Sequence, residues 1–155
     1  MTNLFDVTDK VMVITGAAGV LGNAMVHHFA EQGAKVVILD RNEDAGKKLA
    51  SAVKAKGFHA SFLLTDVLSQ KMLESNYADI MKTYGQIDVL INGAGGNMEG
   101  AIIAPDKTIF DLDLEAVRKV VDLNLFGTVT HTRTKPNYSG ISANSSFIFC
   151  GNFTE

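Results

Sequence analysis

One passage of the sequence, a strand pattern that turns through glycines into a helix pattern, limits the fold more than any other feature. The run KVMVIT (10–15) is rich in β-branched residues, which is typical of a buried strand. The turn TGAAGVLG (15–22) follows directly. Beyond it, a helix is predicted over 19–33, where six side chains recur at helical spacing: Val20, Leu21, Ala24, Met25, His28 and Phe29. A strand that leads through a short turn into a helix predicts the first half of a βαβ unit.

The same alternation continues along the chain. Further strands are predicted at 35–40, 59–66 and 87–92, and further helices at 42–57, 69–85 and 113–127. Short apolar strands that alternate with capped helices predict an α/β fold with a doubly wound parallel sheet. We interpret residues 1–155 as a single domain. Ligands of such sheets bind beyond the carboxyl ends of the strands.

Residues 129–155 depart from this pattern. The stretch THTRTKPNYSG (130–140) carries β-branched residues and Pro136, so it is not expected to continue the preceding helix. The stretch NSSFIFCG (144–151) has the apolar, aromatic character of a fifth strand. We therefore interpret 129–155 as an atypical tail and the domain as incomplete at its C-terminal side.

Composition narrows the class of protein. The net charge of −3 gives no reason to expect nucleic acid or an anionic membrane surface as a partner. Cys150 is the single cysteine, so no internal disulfide forms, and the N-terminus lacks the layout of a signal peptide. The four histidines have no metal-ligand spacing. These features favour a cytoplasmic protein that holds no metal.

The glycines of the turn suit a phosphate-binding loop. Gly16 can make the tight turn off the strand, Gly19 lets backbone approach a pyrophosphate, and Gly22 lets the helix pack closely. The helix N-terminus then offers free N–H groups to the phosphates. The loop predicts dinucleotide contacts from six residues: Gly16, Ala18, Gly19, Val20, Leu21 and Gly22. The alternative is a plain tight turn.

Asp40 ends the second strand, 18 residues after Gly22. A carboxylate at this position can accept hydrogen bonds from the adenosine ribose, and it repels a 2′-phosphate, so NAD is favoured over NADP. Arg41 beside it favours NADP instead, because an arginine can hold the 2′-phosphate. NADP therefore stays open as the less favoured cofactor.

Four ordered motifs carry a family resemblance: TGAAGVLG, TDV (65–67), INGAG (91–95) and LNLFGT (123–128). With them the chain resembles the short-chain dehydrogenase/reductase family from about residue 5 to residue 128. Within that family, the opening segment and the loop NGAGGN are most similar to D-mannonate oxidoreductases and fructuronate reductases. The resemblance implies a Rossmann-type fold and NAD(P)-dependent oxidation or reduction of a hydroxy or keto group on a sugar acid or polyol. It also implies that full-length relatives are homo-oligomers.

The resemblance assigns roles to further residues. Asp66 and Val67 would contact the adenine ring, and Asn124 would hold a water in a proton relay. The turn after the fourth strand would steady the central sheet and line the cofactor cleft, through Asn92, Gly93, Ala94 and Gly95. The family more often has a second asparagine where this chain has Gly93. Without the resemblance, Asn124 reads as a core-facing amide bonded to backbone.

The catalytic half of the family pattern is missing from these 155 residues. Members of the family use a Tyr-x-x-x-Lys pair, in which the lysine cation lowers the pKa of the tyrosine. No tyrosine here has a lysine four residues on, and Tyr138 is followed at that distance by Ser142. One alignment makes Ser146 the serine that orients the substrate. We interpret the chain as a truncated family member, the cofactor-binding part, inactive alone. The alternative is a non-catalytic nucleotide-binding module or pseudoenzyme.

Overall fold

Strands and helices alternate along the part of the chain that the structure describes. The computed structural model describes residues 6–134 in full and residues 141–149 as backbone. The strands are β1 (Val11–Thr15), β2 (Lys35–Asp40), β3 (Ala60–Leu64), β4 (Ile87–Asn92) and β5 (Ile141–Phe149). The helices are α1 (Val20–Glu31), α2 (Glu43–Ala55), α3 (Gln70–Tyr84), α4 (Leu114–Val121) and α5 (Gly127–Arg133), and a π-turn (Asp122–Phe126) joins α4 to α5. The predicted α/β fold is confirmed.

The described strands form one parallel sheet in the order β3-β2-β1-β4-β5. The chain moves outward from β1 to β3, and then returns past β1 to add β4 and β5 on the other side. The direction of winding therefore changes between β1 and β4. Thr15 at the end of β1 is in register with Asn92 at the end of β4, so the two strands finish together. A crevice at such a switch point is where doubly wound sheets bind ligands.

Apolar side chains cover both faces of the sheet. In β1, Met12 and Ile14 belong to a core cluster shared with helices α1 and α2. The alternate residues Val11 and Val13 belong to a second cluster, which includes Ile80 of α3. Because strand side chains alternate between faces, one strand serves both clusters. Helices therefore pack on both sides of the sheet, as a doubly wound fold requires.

The buried face of α1 differs from the predicted stripe. The residues that α1 buries are Gly22, Val26 and Ala30, spaced four apart, whereas Val20 is 95% and Leu21 47% exposed. Met25 and Phe29 of the predicted stripe are only partly buried against the core. Small residues at positions 22 and 30 allow the helix to approach the sheet closely. The first turn of α1 instead presents its large side chains to the cleft described below.

The helix that begins at Leu114 is longer than predicted. It passes through the π-turn and continues to Arg133, although the sequence from 130 was not expected to be helical. Threonine hydroxyls bond back to carbonyls one turn earlier: Thr128 to Asn124 (3.0 Å), Thr132 to Thr128 (2.8 Å) and Thr134 to Thr130 (2.8 Å). These bonds satisfy the threonine hydroxyls inside the helix, which continues here although its β-branched residues disfavour it.

Candidate cofactor-binding site

A cleft of about 680 Å³ opens at the switch point, beyond the carboxyl ends of the strands. It includes every residue predicted to bind the cofactor except Asn92: Gly16, Ala18, Gly19, Val20, Leu21, Gly22, Asp40, Arg41, Asp66, Val67, Gly93, Ala94 and Gly95. These residues lie at or just after the carboxyl ends of four strands, β1, β2, β3 and β4. Parallel strands bring them together because all four loops leave the sheet at the same end.

Glycines form the floor of the cleft because backbone meets backbone there. Gly16 has φ +64°, and a Cβ on it would lie 2.7 Å from the carbonyl oxygen of Gly93. A Cβ on Gly93 would lie 2.8 Å from the carbonyl oxygen of Thr15, and one on Gly22 would lie 2.5 Å from that of Gly16. No side chain fits at these distances. The loops after β1 and β4 therefore touch directly and leave the space above them open.

Helix α1 begins at this floor without a side-chain cap. Its N-cap is Gly19, no side chain accepts from its first N–H groups, and its first turn holds no acidic residue. By contrast, Asn42, Ser69 and Asp113 cap α2, α3 and α4. An uncapped N-terminus leaves N–H donors and partial positive charge available to an anion. In α1 these donors face the cleft.

Asp40 stands at the side of the cleft with both oxygens engaged. One oxygen accepts the N–H of Ala18 and the other accepts the N–H of Asn42, each at 2.9 Å. The carboxylate thus ties the glycine loop to the end of β2. Because an ionised carboxylate offers about four acceptor sites, it can still accept further hydrogen bonds from a ligand. Arg41 is exposed beside it.

The loop after β3 supplies a polar and an apolar residue. The Asp66 carboxylate accepts the N–H of Leu68 (2.9 Å). Val67 is buried, and its side chain packs so closely on Gly127 that a Cβ there would lie 2.9 Å from it. Gly127 therefore lets α5 approach this loop. The two residues predicted to contact adenine are thereby fixed in the wall of the cleft.

Two polar side chains hold the loop that follows β4. Thr15 Oγ1 accepts the N–H groups of both Gly93 and Ala94 at 3.1 Å. Further along, the Asn124 amide pairs with the backbone of Gly96: its Nδ2 donates to the carbonyl (2.8 Å) and its Oδ1 accepts the N–H (3.2 Å). The same Nδ2 donates to the Val120 carbonyl (2.8 Å). The side chain of Asn124 thus anchors this wall of the cleft, and its role in a proton relay stays a prediction.

Asn92 is the predicted cofactor residue that does not line the cleft. Its side chain is buried and turns toward α5, where Nδ2 donates to Thr132 Oγ1 (3.2 Å) and Oδ1 lies 3.1 Å from His131 Nδ1. Burial lowers the pKa of His131 to about 4, so its ring is neutral at pH 7. Asn92 therefore joins the end of β4 to α5 from behind the cleft.

Four residues that line the cleft were not predicted from the sequence. Lys119, Asp122 and Leu123 line it from α4 and the π-turn, and Met98 lines it from the loop after β4. The three helical residues recur at i, i+3 and i+4, so they share one helix face, and this spacing was a usable signal. Met98 comes from an irregular loop, for which the sequence offers no periodic pattern.

Ser146, the other predicted catalytic residue, lies within strand β5. In the register of β5, Ser146 pairs with Val89, and Phe149 pairs with Asn92 at the end of the sheet. At about 3.3 Å per residue, the backbone of Ser146 is roughly 10 Å short of the carboxyl end. The role of Ser146 in orienting a substrate stays a prediction. Tyr138 lies outside the described residues.

Among residues 6–134, no three His, Cys, Asp or Glu side chains are grouped so that they could hold a metal ion. No helix in the described part of the chain is both long and apolar enough to cross a membrane.

An uncapped helix over a glycine floor, at the switch point of a doubly wound sheet, defines the nucleotide-binding class of α/β proteins. Comparison with known proteins identifies the family. The chain matches the short chain dehydrogenase family over residues 10–139 and belongs to it.

Individual relatives show the same relationship. An NAD-dependent glycerol dehydrogenase of Listeria innocua is 39% identical over 124 residues, which are 80% of this chain and 45% of that protein. A candidate D-mannonate oxidoreductase from Haemophilus influenza, solved with bound NAD, is 32% identical with a TM-score of 0.76, over 83% of this chain and 50% of the other. An actinorhodin polyketide ketoreductase solved with NADPH is 26% identical with a TM-score of 0.72, over 81% and 46%. The chain thus spans about half the length of the relatives that it matches.

Proposed function

We propose that this chain binds NAD in the switch-point cleft and serves as the cofactor-binding part of an oxidoreductase. The observation that carries the proposal is the uncapped N-terminus of α1 above the contact between Gly16 and Gly93. There the pyrophosphate would meet free N–H donors, with no side chain to block its approach. The adenosine would then extend toward Asp40, Asp66 and Val67, and the nicotinamide toward the loop after β4.

The preference for NAD over NADP rests on Asp40. Its carboxylate is held in place by Ala18 and Asn42, so it cannot easily turn away from a 2′-phosphate. Close approach of two anions is unfavourable, whereas ribose hydroxyls can donate to the same oxygens. Arg41 is exposed and has a long flexible stem, so it offsets this repulsion only in part.

For the substrate, we propose a hydroxy or keto group of a sugar acid or polyol. The support is the names of relatives, a candidate D-mannonate oxidoreductase and a glycerol dehydrogenase, together with the loop NGAGGN. Bound nicotinamide would supply the hydride chemistry. The residues of this chain bind the cofactor and hold the walls of its cleft. A tyrosine and lysine in Tyr-x-x-x-Lys spacing do not occur among the 155 residues, so we expect cofactor binding without turnover from this polypeptide.

A non-catalytic nucleotide-binding module is the second candidate, and the same missing pair favours it. The two candidates share the cofactor site, and neither predicts turnover from this polypeptide. An assay that supplies NADH with fructuronate and 5-ketogluconate separates an active enzyme from both.

Titration calorimetry with NADH and NADPH tests the cofactor assignment. We expect NADH to bind more tightly, and Asp40→Asn to reduce the difference by about tenfold, since removing the carboxylate charge removes the repulsion of the 2′-phosphate. Asp79→Asn, an exposed acid on α3, is the control with the same change of net charge. Tighter binding of NADPH by the unchanged chain would contradict the role of Asp40. If the folded chain binds neither cofactor, the proposed function is wrong.

A further inference from the structure

A small polar cluster behind the cleft joins strand β4 to helix α5. It consists of Asn92, His131 and Thr132, with the Asn92 amide between the other two side chains at 3.1 and 3.2 Å. The Asn92 side chain is buried, so its amide needs hydrogen-bond partners within the protein. Nothing in the proposed binding of a cofactor uses His131. The cluster nevertheless contains Asn92, which directly precedes the cleft-lining residues Gly93–Gly95.

The directions of these hydrogen bonds follow from donor and acceptor chemistry. The carbonyl of Thr128 can only accept, so the Thr132 hydroxyl must donate its one proton to it (2.8 Å). Thr132 Oγ1 can then only accept from Asn92, which fixes Nδ2 on that side of the amide. Asn92 Oδ1 therefore faces His131, and an amide oxygen can only accept. The Nδ1 of His131 must carry a proton.

The charge of the ring follows from its surroundings. Burial lowers the pKa of His131 to about 4, so the ring holds one proton at pH 7. That proton is on Nδ1, as the hydrogen bonds require, which leaves Nε2 unprotonated. Nδ1–H is the minor tautomer of free histidine in water, and the contact with Asn92 selects it.

The cluster is connected to the cleft by the backbone of the loop that follows β4. Asn92 is followed by Gly93 and Ala94, whose N–H groups are held by Thr15, and then by Gly95 in the cleft wall. The loop is thus held at Asn92 by α5, at its middle by β1 and at Gly96 by Asn124. Without the His131 donor, one buried oxygen of Asn92 loses its partner, and the amide must turn or shift to find another.

We propose that His131 is a positioning residue, which as the neutral Nδ1–H tautomer orients Asn92 and thereby fixes the wall Gly93–Gly95 of the cofactor cleft. The consequence for affinity rests on the proposed function, since it assumes that a dinucleotide occupies the cleft. The tautomer and the orientation of Asn92 do not depend on that assumption.

Long-range 1H–15N correlation spectra of the unliganded chain at pH 7 test the tautomer directly. The expected spectrum shows a protonated Nδ1 and an unprotonated Nε2 on His131. A protonated Nε2 with a bare Nδ1, or a doubly protonated ring at this pH, overturns the proposal.

Three substitutions of His131 distinguish the effect of its Nδ1–H donor from the effect of the size of its ring. In His131→Asn, the amide nitrogen stands the same number of bonds from the backbone as Nδ1, so it can still donate to Asn92. In His131→Gln the amide nitrogen lies one bond further out, and His131→Leu has no donor. Thr134→Val is the matched control, because it removes a hydroxyl bond from the same segment without touching Asn92.

We expect His131→Gln and His131→Leu to weaken NADH binding roughly fivefold, the scale of a coupling passed through one positioning contact. His131→Asn and Thr134→Val should bind NADH as the unchanged chain does. The amide resonances of Gly93 and Ala94 should shift in the first pair of variants and not in the second. If His131→Asn behaves as His131→Leu does, or if all variants behave alike, the donor has no positioning role. The resonances and the tautomer are read without cofactor, so they decide the proposal even if NADH does not bind.

Discussion

Strands β1 and β4 are tied together at both ends of the sheet, and the two ties are built differently. At the amino end, the Asp88 carboxylate of β4 accepts the N–H of Val11 (2.8 Å) and also contacts Gln86 and Lys10. At the carboxyl end, the buried Thr15 hydroxyl of β1 accepts two N–H groups from the loop after β4. One tie is charged and partly exposed, and the other is neutral and buried.

The difference suits the different surroundings of the two ends. At the amino end, a carboxylate finds water and a lysine to balance its charge. At the carboxyl end, a carboxylate in place of Thr15 would put a buried negative charge beneath the loop proposed to bind pyrophosphate. A hydroxyl secures the same two strands without that charge. In the part of the chain that the structure describes, the carboxyl end combines this tie with a glycine floor, which gives that end both rigidity and room for an anion.

Glycines with the same backbone conformation give the sharpest contrast between the two ends. Gly16 and Gly57 have φ of +64° and +86°, but a Cβ on Gly57 would meet nothing within 4 Å. Gly16→Ala should therefore lower the free energy of unfolding by about 2–5 kcal/mol, from left-handed strain plus overpacking against Gly93. Gly57→Ala should cost only the strain, about 1 kcal/mol. Urea unfolding of both variants checks this, and equal losses would contradict the close contact of the two loops.

Acid should weaken the carboxyl end before the amino end. The pKa of His131 is about 4 in the fold and about 6.5 when the chain is unfolded, so the unfolded state binds more protons between these values. The contribution of His131 to the free energy of unfolding is fully present above pH 6.5 and falls as the pH drops toward 4. The total loss is roughly 3 kcal/mol. His131→Asn should remove this dependence. Urea unfolding at pH 7, 5.5 and 4.5 measures it, and parallel losses in both proteins would show that His131 is not the group responsible.

Asp88 should respond only in stronger acid. Burial alone would raise the pKa of its carboxyl group, but hydrogen bonds from Val11 and Gln86, with the nearby charge of Lys10, hold that pKa below its usual value. Its contribution to stability is present above the ordinary aspartate pKa and is lost as the pH falls below it.

Removal of either tie should lower the free energy of unfolding less than the changes above. The amide signals should then show which end of the sheet is disturbed. Thr15→Val leaves two partly buried N–H groups without their acceptor and should cost about 1–3 kcal/mol. Asp88→Asn keeps an acceptor oxygen and loses only the charge, so about 1 kcal/mol is expected. The amide signals of Gly93 and Ala94 should change in Thr15→Val and stay unchanged in Asp88→Asn. Loss of those signals in Asp88→Asn would mean that the two ends are not independent.

The sequence predicted well what depends on local pattern. Each strand from β1 to β4 and each of the first three helices was found within about two residues, since apolar runs, caps and glycines are neighbours in the chain. The glycine loop and Asp40 were located for the same reason. The parallel sheet then brought them together, because loops that follow parallel strands share one end.

What the sequence did not reveal depends on contacts between distant parts of the chain. The outward-facing Val20 and Leu21 follow from the close approach of Gly22 to the glycine loop, which a helical stripe does not encode. The helix beyond the π-turn forms although its β-branched threonines disfavour it, and local propensity therefore did not predict it. The contact between His131 and Asn92 joins residues that are 39 positions apart in the sequence, so no local pattern predicts it.

The central claim, that a dinucleotide binds at the carboxyl end of β1 and β4, can be tested by mapping amide chemical shifts during an NADH titration. We predict saturable shifts at Gly19, Asp66 and Ala94, which line the cleft or its floor. The amides of Val11 and Asp88, at the other end of the same strands, should not move. Saturable shifts at Val11 and Asp88 without shifts at Gly19 and Ala94 would place the cofactor elsewhere and contradict the account.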